Sequence, residues 1–117
     1  MKEFLYLFRG GEAARQNEQQ SPEQSQKHMM KWKTWMESLA KEGKFSGGQP
    51  LNKEGTVLKG KAKKLTDGPF VEGKEIVGGY LLVKANDLNE ATEMAKACPI
   101  FEHDGIVEVR EIEQLPM

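Results

Sequence analysis

The chain is 117 residues long, which fits one domain over residues 1–117 and leaves no room for two independent cores. Hydrophobic residues make up 38% of it and charged residues 30%, a balance typical of a globular protein and not of a disordered one. The formal net charge of −1 argues against a dedicated nucleic-acid binder, because phosphate contacts require a clear basic excess.

The cysteine count and the N-terminal run bear on the compartment. Cys98 is the only cysteine, so no internal disulfide forms and nothing indicates an oxidising compartment. The apolar run over residues 1–9 is too short for the hydrophobic part of a signal peptide with a cleavage site, and far too short to span a membrane. We therefore expect a soluble, cytoplasmic protein without membrane contact.

The chain begins with a predicted strand and a loop. Residues 3–9 form an apolar, aromatic-rich run that Gly10-Gly11 ends, as expected of a fully buried strand. The polar stretch 12–20, rich in Gln and Glu, is typical of a loop.

A long amphipathic helix follows. Ser21 and Gln24 match a capping box, Pro22 suits the first helical position, and the helix is expected to reach about Glu42, where Gly43 ends it. The predicted apolar face consists of Met29, Trp32, Trp35, Met36 and Leu39.

The middle of the chain is predicted as a loop and a small hairpin. Residues 47–50 form the loop, and short strands are expected at 56–59 and 62–66, with Gly60 at or near their turn. The lysines of this segment are expected to form the solvated face of the hairpin. They are Lys59, Lys61, Lys63 and Lys64.

The second half predicts a strand, a helix and a final strand. Residues 76–84 are the strongest strand of the chain, and Asp87-x-x-Glu90 caps a helix that Pro99 ends. Residues 106–112 alternate apolar and charged side chains as a strand does. The apolar face of the helix comprises Leu88, Ala91, Met94, Ala95 and Cys98.

This order of elements, β-α-β-β-β-α-β or β-α-β-β-α-β, predicts an α+β, ferredoxin-like fold with both helices on one face of an antiparallel sheet. In such a fold one sheet face lacks helices, yet Leu5 and Leu7 point away from Phe4, Tyr6 and Phe8 on the first strand. The exposed apolar patch would reach several hundred Å². We expect a homodimer packed sheet to sheet, with a loop such as 43–55 folding over the sheet as the rival explanation.

Five segments in order make the chain resemble the YCII-related, or DGPF-domain, family. They are Asp67-Gly68-Pro69-Phe70, residues 71–75, Gly78-Gly79-Tyr80, Ala97-Cys98-Pro99-Ile100 and Val107-Glu108-Val109-Arg110. The resemblance implies a dimeric ferredoxin-like fold, a link of some members to extracytoplasmic-function sigma factors, and a His–Asp pair proposed as catalytic in the broader group. This chain has Cys-Pro where that group often has Asp-Pro, which leaves the acidic partner open.

His28 is the first candidate site residue. Its position on the helix falls on the apolar face, between Trp35 and Leu39, so its imidazole is expected to point toward the sheet or a cleft beside it. It is interpreted either as a general base or ligand contact, or as a core histidine bonded to a backbone carbonyl.

His103 and Asp104 lie in the predicted loop 101–105, at the same end of the sheet as the start of the first helix. They are expected to converge with His28 and Arg9 on one pocket, and the alternative is a solvent-exposed loop histidine. Convergence of both histidines with a carboxylate would also allow a metal, but two histidines without tight spacing are weak evidence, so no metal is assigned and the cofactor is left open.

Asp67 belongs to the predicted Asp-Gly-Pro-Phe turn, which we place at the opposite end of the subunit from His28. It either caps the turn or acts as a cleft carboxylate if the turn folds over or comes from a partner chain. Cys98 is interpreted as core filler, because a helix C-terminus disfavours a thiolate.

Three functions stay open at this point. The first is a small-molecule enzyme or binding protein with His28 as the acid–base residue and Asp67 or Asp104 as its partner. The second is a non-catalytic regulatory or interaction module associated with a sigma factor. The third is an accessory protein with neither activity.

Overall fold

A computed structural model describes residues 1–10, 21–52, 54–68 and 76–116, without the side chains of residues 66–68. The predicted loop 12–20, and Pro69 and Phe70 of the predicted turn, lie outside the described residues. The elements in chain order are β1 (Lys2–Arg9), α1 (Pro22–Lys41), β2 (Phe45–Pro50), β3 (Gly55–Lys59), β4 (Lys64–Gly68), β5 (Val77–Ala85), α2 (Leu88–Ala95), a 3-10 helix (Pro99–His103) and β6 (Ile106–Glu111).

The main sheet has four strands in the order β2-β5-β1-β6, and every neighbouring pair is antiparallel. Together with α1 after β1 and α2 after β5, this is the ferredoxin-like α+β arrangement, so the predicted fold class is confirmed. Both helices cover one face of the sheet. The buried residues of that core come from β1, β5, both helices and the segment after α2, and they include Phe4, Tyr6, Trp35, Leu39, Val83, Ala91 and Ala95.

The prediction of a loop at residues 47–50 is wrong, because this segment is the edge strand β2. Two glycines suggested a turn, but here Gly48 permits close packing against β5 and Gly47 adopts a positive φ of 145°. A Cβ at Gly48 would lie 2.4 Å from the Tyr80 carbonyl oxygen and 2.4 Å from Leu81 Cδ2. The register shift between Phe45 and Gly47 marks a bulge in β2, and Pro50 lies at the end of the strand, where it removes no interior bond.

The predicted hairpin is present as β3 and β4, which form a two-stranded sheet of their own. Gly60 at φ +72° lies in the turn, as predicted. Asp67 and Gly68 were predicted as turn residues, but they extend β4 and pair with Thr56 and Gly55 of β3. The lysines of the segment are exposed, as predicted.

Helix α1 begins as its capping box predicts. The Ser21 side chain accepts from the Gln24 backbone N–H, and the Gln24 side chain accepts from the Ser21 N–H, each at 3.1 Å. Gly43 at φ +72° follows the end of the helix, as predicted. Met29 was assigned wrongly to the apolar face, since it is 68% exposed. His28 takes the buried position one residue earlier.

Helix α2 begins at its predicted cap, where Asp87 Oδ1 accepts from the Glu90 backbone N–H at 2.8 Å. Leu88 was predicted on the buried face, but it is 53% exposed in the first turn. Cys98 lies beyond the helix end and is buried, and burial raises the pKa of its thiol to about 12. The prediction of a core cysteine therefore agrees with its environment.

Two aromatic side chains of the core donate hydrogen bonds to backbone carbonyls of α2 and so hold this helix against the core. The Tyr6 hydroxyl donates to the Ala91 carbonyl at 2.5 Å, and the Trp35 indole N–H donates to the Met94 carbonyl at 3.2 Å. The Tyr6 and Trp35 rings stack with their centroids 6.1 Å apart. Burial raises the pKa of the Tyr6 phenol. Within the described residues, no helix is long and apolar enough to cross a membrane.

Candidate functional site

The candidate residues lie near the end of the sheet where β1 ends and where β5 and β6 begin. β1 ends there at Arg9, opposite Val77 at the start of β5 and Ile106 at the start of β6. Backbone bonds from Gly10 N to Ile76 O (3.1 Å) and from Leu51 N to Gly78 O (2.8 Å) close the same end.

This geometry corrects the predicted position of Asp67. The segment between Leu51 and Ile76, which carries Asp67 in β4, leaves and rejoins the sheet at the end where α1 begins. The prediction placed the turn that carries Asp67 at the opposite end of the subunit. The side chain of Asp67 lies outside the description.

His28 lies on the sheet-facing side of α1 and is 4% exposed. Its Nε2 accepts a hydrogen bond from the Trp32 indole Nε1–H at 3.0 Å, one helical turn further along. Trp32 in turn packs edge-on against Phe8 of β1, with ring centroids 5.1 Å apart. The bonding partner at Nε2 is therefore an aromatic side chain, not the backbone carbonyl of the core-histidine alternative.

His103 ends the 3-10 helix and is half-buried. Its ring centroid lies 4.3 Å from that of His28, so the predicted meeting of the two histidines is confirmed. Asp104 follows in the left-handed conformation at φ 58°, and Gly105 then passes so close to Ile100 that a Cβ would lie 2.3 Å from Ile100 Cγ1. This tight turn directs the chain from His103 into β6.

Glu102 and Lys31 complete the cluster, and sequence reasoning missed both. Lys31 Nζ donates to both carboxylate oxygens of Glu102, at 3.0 and 3.1 Å. The hydrogen bond from Lys31 is the main cause that lowers the pKa of Glu102, with smaller contributions from the charges of Lys31, His28 and His103. Glu102 Oε1 also lies 3.7 Å from His28 Nδ1.

One other predicted member does not join this cluster. Arg9 alternates with Phe8 onto the sheet face opposite the helices, where it forms an ion pair with Glu108. Asp104 is exposed directly after His103. In the part of the chain that the structure describes, no group of three or more His, Cys, Asp or Glu side chains is arranged to hold a metal ion.

An open groove of about 470 Å³ runs beside the cluster, between α1 and the 3-10 helix. The Lys31–Glu102 pair lies on its wall, together with Trp35 and Pro99.

The fold and this cluster define a ferredoxin-like α+β protein with paired histidines at one end of its sheet. The chain belongs to the YCII-related domain family, whose sequence profile matches residues 12–116. Among solved structures it is similar to 5-chloro-2-hydroxyhydroquinone dehydrochlorinase (TftG) from Burkholderia phenoliruptrix AC1100, in complex with 2,5-dihydroxybenzoquinone. That similarity has 16% identity and a TM-score of 0.49, and it covers 95% of this chain and 93% of the other. No curated protein matches the sequence significantly.

Proposed function

We propose that this protein binds a small molecule at the cluster of His28, His103 and Glu102, and acts there as a binding protein or as an enzyme that uses a cleft histidine. The observation that carries the proposal is the 4.3 Å approach of two imidazoles beside a carboxylate 3.7 Å from one of them. Groups of this kind transfer protons or bind polar ligands near neutral pH.

The energetic cost of the cluster supports this function. A buried polar side chain reduces stability unless it is well bonded, so leucine at the buried position of His28 would give a simpler core. His28 is buried next to the aromatic core, whereas His103 and Glu102 lie toward solvent. The cluster therefore connects the interior with a surface that a ligand can reach.

The acidic partner of the histidines has three candidates in this proposal. Glu102 has the carboxylate nearest to His28. Asp104 follows His103 in the chain and is exposed. Asp67 lies on the segment that rejoins the sheet at the same end. We rank Glu102 first because of its distance to His28.

We also propose that the protein forms a homodimer through the sheet face opposite the helices. Leu5 pairs with Leu82 and Leu7 with Tyr80 across the two central strands, and all four are half-buried in the single chain. A second copy would cover this apolar centre, and about 800 Å² per subunit is typical of a stable interface. A cytoplasmic location agrees with the free thiol of Cys98.

A screen of small polar and aromatic compounds by thermal shift, followed by calorimetry, tests the proposal. We expect a bound compound whose affinity falls about tenfold or more in both His28→Asn and His103→Asn. Met29→Ala, an exposed neighbour of His28, is the control and should bind as the wild type does. Binding that survives both histidine substitutions would contradict the proposal.

The second candidate is a non-catalytic interaction module, for which a sigma factor is the partner suggested by the family. The β3–β4 hairpin favours it, because Leu58 and Leu65 pair across the strands and are 66% and 60% exposed. A stoichiometric complex of the purified proteins that Leu58→Ser and Leu65→Ser weaken would support this candidate. A protein that forms only its own homodimer in that mixture would argue against it.

A further inference from the structure

We propose that His103 is the imidazole that meets the ligand, and that the hydrogen bond from Trp32 holds His28 behind it in the Nδ1–H tautomer. His28 is then a positioning residue. This inference rests on the proposed function and assigns separate roles to the two histidines.

The lock at Nε2 follows from the chemistry of the indole. A tryptophan Nε1–H is only a donor, so the 3.0 Å contact requires a lone pair on Nε2 of His28. A neutral His28 therefore carries its proton at Nδ1. To act as a base through Nε2, it would have to break this bond and leave the indole N–H of a partly buried tryptophan without its acceptor.

The Nδ1 side of the His28 ring faces the carboxylate of Glu102. Glu102 Oε1 lies 3.7 Å from Nδ1, which is longer than a hydrogen bond, so the carboxylate acts on the Nδ1–H through its charge. Lys31 holds this carboxylate by both oxygens, and Lys31 and Trp32 come from the same turn of α1. The two sides of His28 are thus set by neighbours on one helix and on the 3-10 helix.

His103 is more accessible to solvent than His28. It is half-buried at the end of the 3-10 helix, whereas His28 is 4% exposed. The 4.3 Å distance between the rings lets the locked His28 limit the orientation of the His103 ring. A ligand that arrives from solvent therefore contacts His103 first, with Glu102 and Lys31 beside it.

Long-range ¹H–¹⁵N spectra of the imidazoles in the full chain test the lock without any ligand. At about pH 8, where an ordinary imidazole is neutral, we expect His28 in the Nδ1–H tautomer. Trp32→Phe should give a mixture of tautomers, and the matched Trp35→Phe, whose indole bonds Met94 instead, should leave His28 unchanged. An Nε2–H tautomer of His28 in the wild type overturns the proposal, even if Trp32→Phe does not fold.

The assignment of contact to His103 is tested with diethyl pyrocarbonate, which modifies accessible unprotonated imidazoles. Mass spectrometry of the folded protein should show His103 reacting about tenfold or more faster than His28, and the two should react alike in guanidinium chloride. Equal or faster reaction of His28 in the folded protein overturns the assignment. Neither measurement uses a ligand, so these failures differ from the failure of the ligand screen, which concerns the proposed function.

Discussion

Lys31 on α1 and Glu102 on the 3-10 helix form a bidentate ion pair, with the ammonium 3.0 and 3.1 Å from the two carboxylate oxygens. The two residues are 71 positions apart in the chain, so the pair joins two distant elements. Because it also brings Glu102 to the side of His28, the pair links the helix, the 3-10 helix and the histidines into one polar cluster.

The first prediction concerns the charge of this pair. Lys31→Met should raise the pKa of Glu102 toward its ordinary value, because the hydrogen bond from Lys31 is the main cause that lowers it. A ¹³C titration of the Glu102 carboxyl measures this change. Lys33→Met, an exposed lysine on the same helix, is the control and should leave the pKa as it is.

The same pair has a consequence for stability in acid. The pKa of Glu102 is lower in the folded chain, so its contribution is present above the ordinary value of 4.5 and is lost as pH falls through the folded value. The free energies of unfolding of the wild type and of Lys31→Met, measured with urea, should therefore differ less at low pH than at neutral pH. A difference that grows on acidification would contradict this assignment.

The second prediction compares two glycines. Gly48→Ala should destabilise the protein by about 1–3 kcal/mol. The new Cβ would clash with the Tyr80 carbonyl oxygen and with Leu81, and the backbone of β5 cannot move aside without disturbing the sheet. Gly55→Ala is the matched control, since its Cβ would have no heavy atom within 4 Å, and it should change stability by less than about 0.5 kcal/mol. Chemical denaturation measures both, and equal effects would count against β2 as a closely packed strand.

The third prediction concerns Cys98. Burial raises the pKa of its thiol from 9.0 to about 12. Between these two pH values the thiol is neutral in the folded chain and ionised in the unfolded chain. This contribution to stability is intact below pH 9.0 and is lost as pH rises toward 12. A disulfide reagent should react at neutral pH only as fast as the protein opens, and fully in guanidinium chloride. Rapid reaction of the folded protein would contradict the buried position.

The fourth prediction tests the proposed dimer. Leu7→Lys places a charge at the centre of the half-buried outer face and should convert a dimer into a monomer in sedimentation velocity. Leu58→Lys, on the exposed hairpin, is the control and should leave the mass unchanged. A wild type that sediments as a monomer at micromolar concentration would remove the basis of the dimer.

The sequence carried enough information for the caps, for the buried helix faces except at Met29 and Leu88, and for the approach of two distant histidines. Ser21 with Gln24 is a local motif, and the burial of His28 follows from its position on a helix face. The strand β2 was missed because Gly48 serves close packing against β5 and Gly47 adopts a positive φ, and a turn favours glycine as well.

Glu102 shows why the site was harder to predict than the fold. Neither it nor Lys31 differs from other charged residues until the two histidines are placed side by side. A usable signal was nevertheless present, because Glu102 precedes His103 and Lys31 lies one turn after His28. Once two residues are predicted to meet, their neighbours at helical spacing are candidates for the same cluster.

The most direct test of a small-molecule site is a ¹H–¹⁵N titration of the full chain with a compound from the screen. We predict that the largest changes fall on the Trp32 indole N–H and the imidazole of His103, with smaller ones at Lys31. The β3–β4 hairpin and the outer face at Leu5 and Leu7 should stay unchanged. Changes confined to the hairpin or to the outer face, with the Trp32 and His103 signals unmoved, would contradict the central claim that the histidine cluster is the binding site.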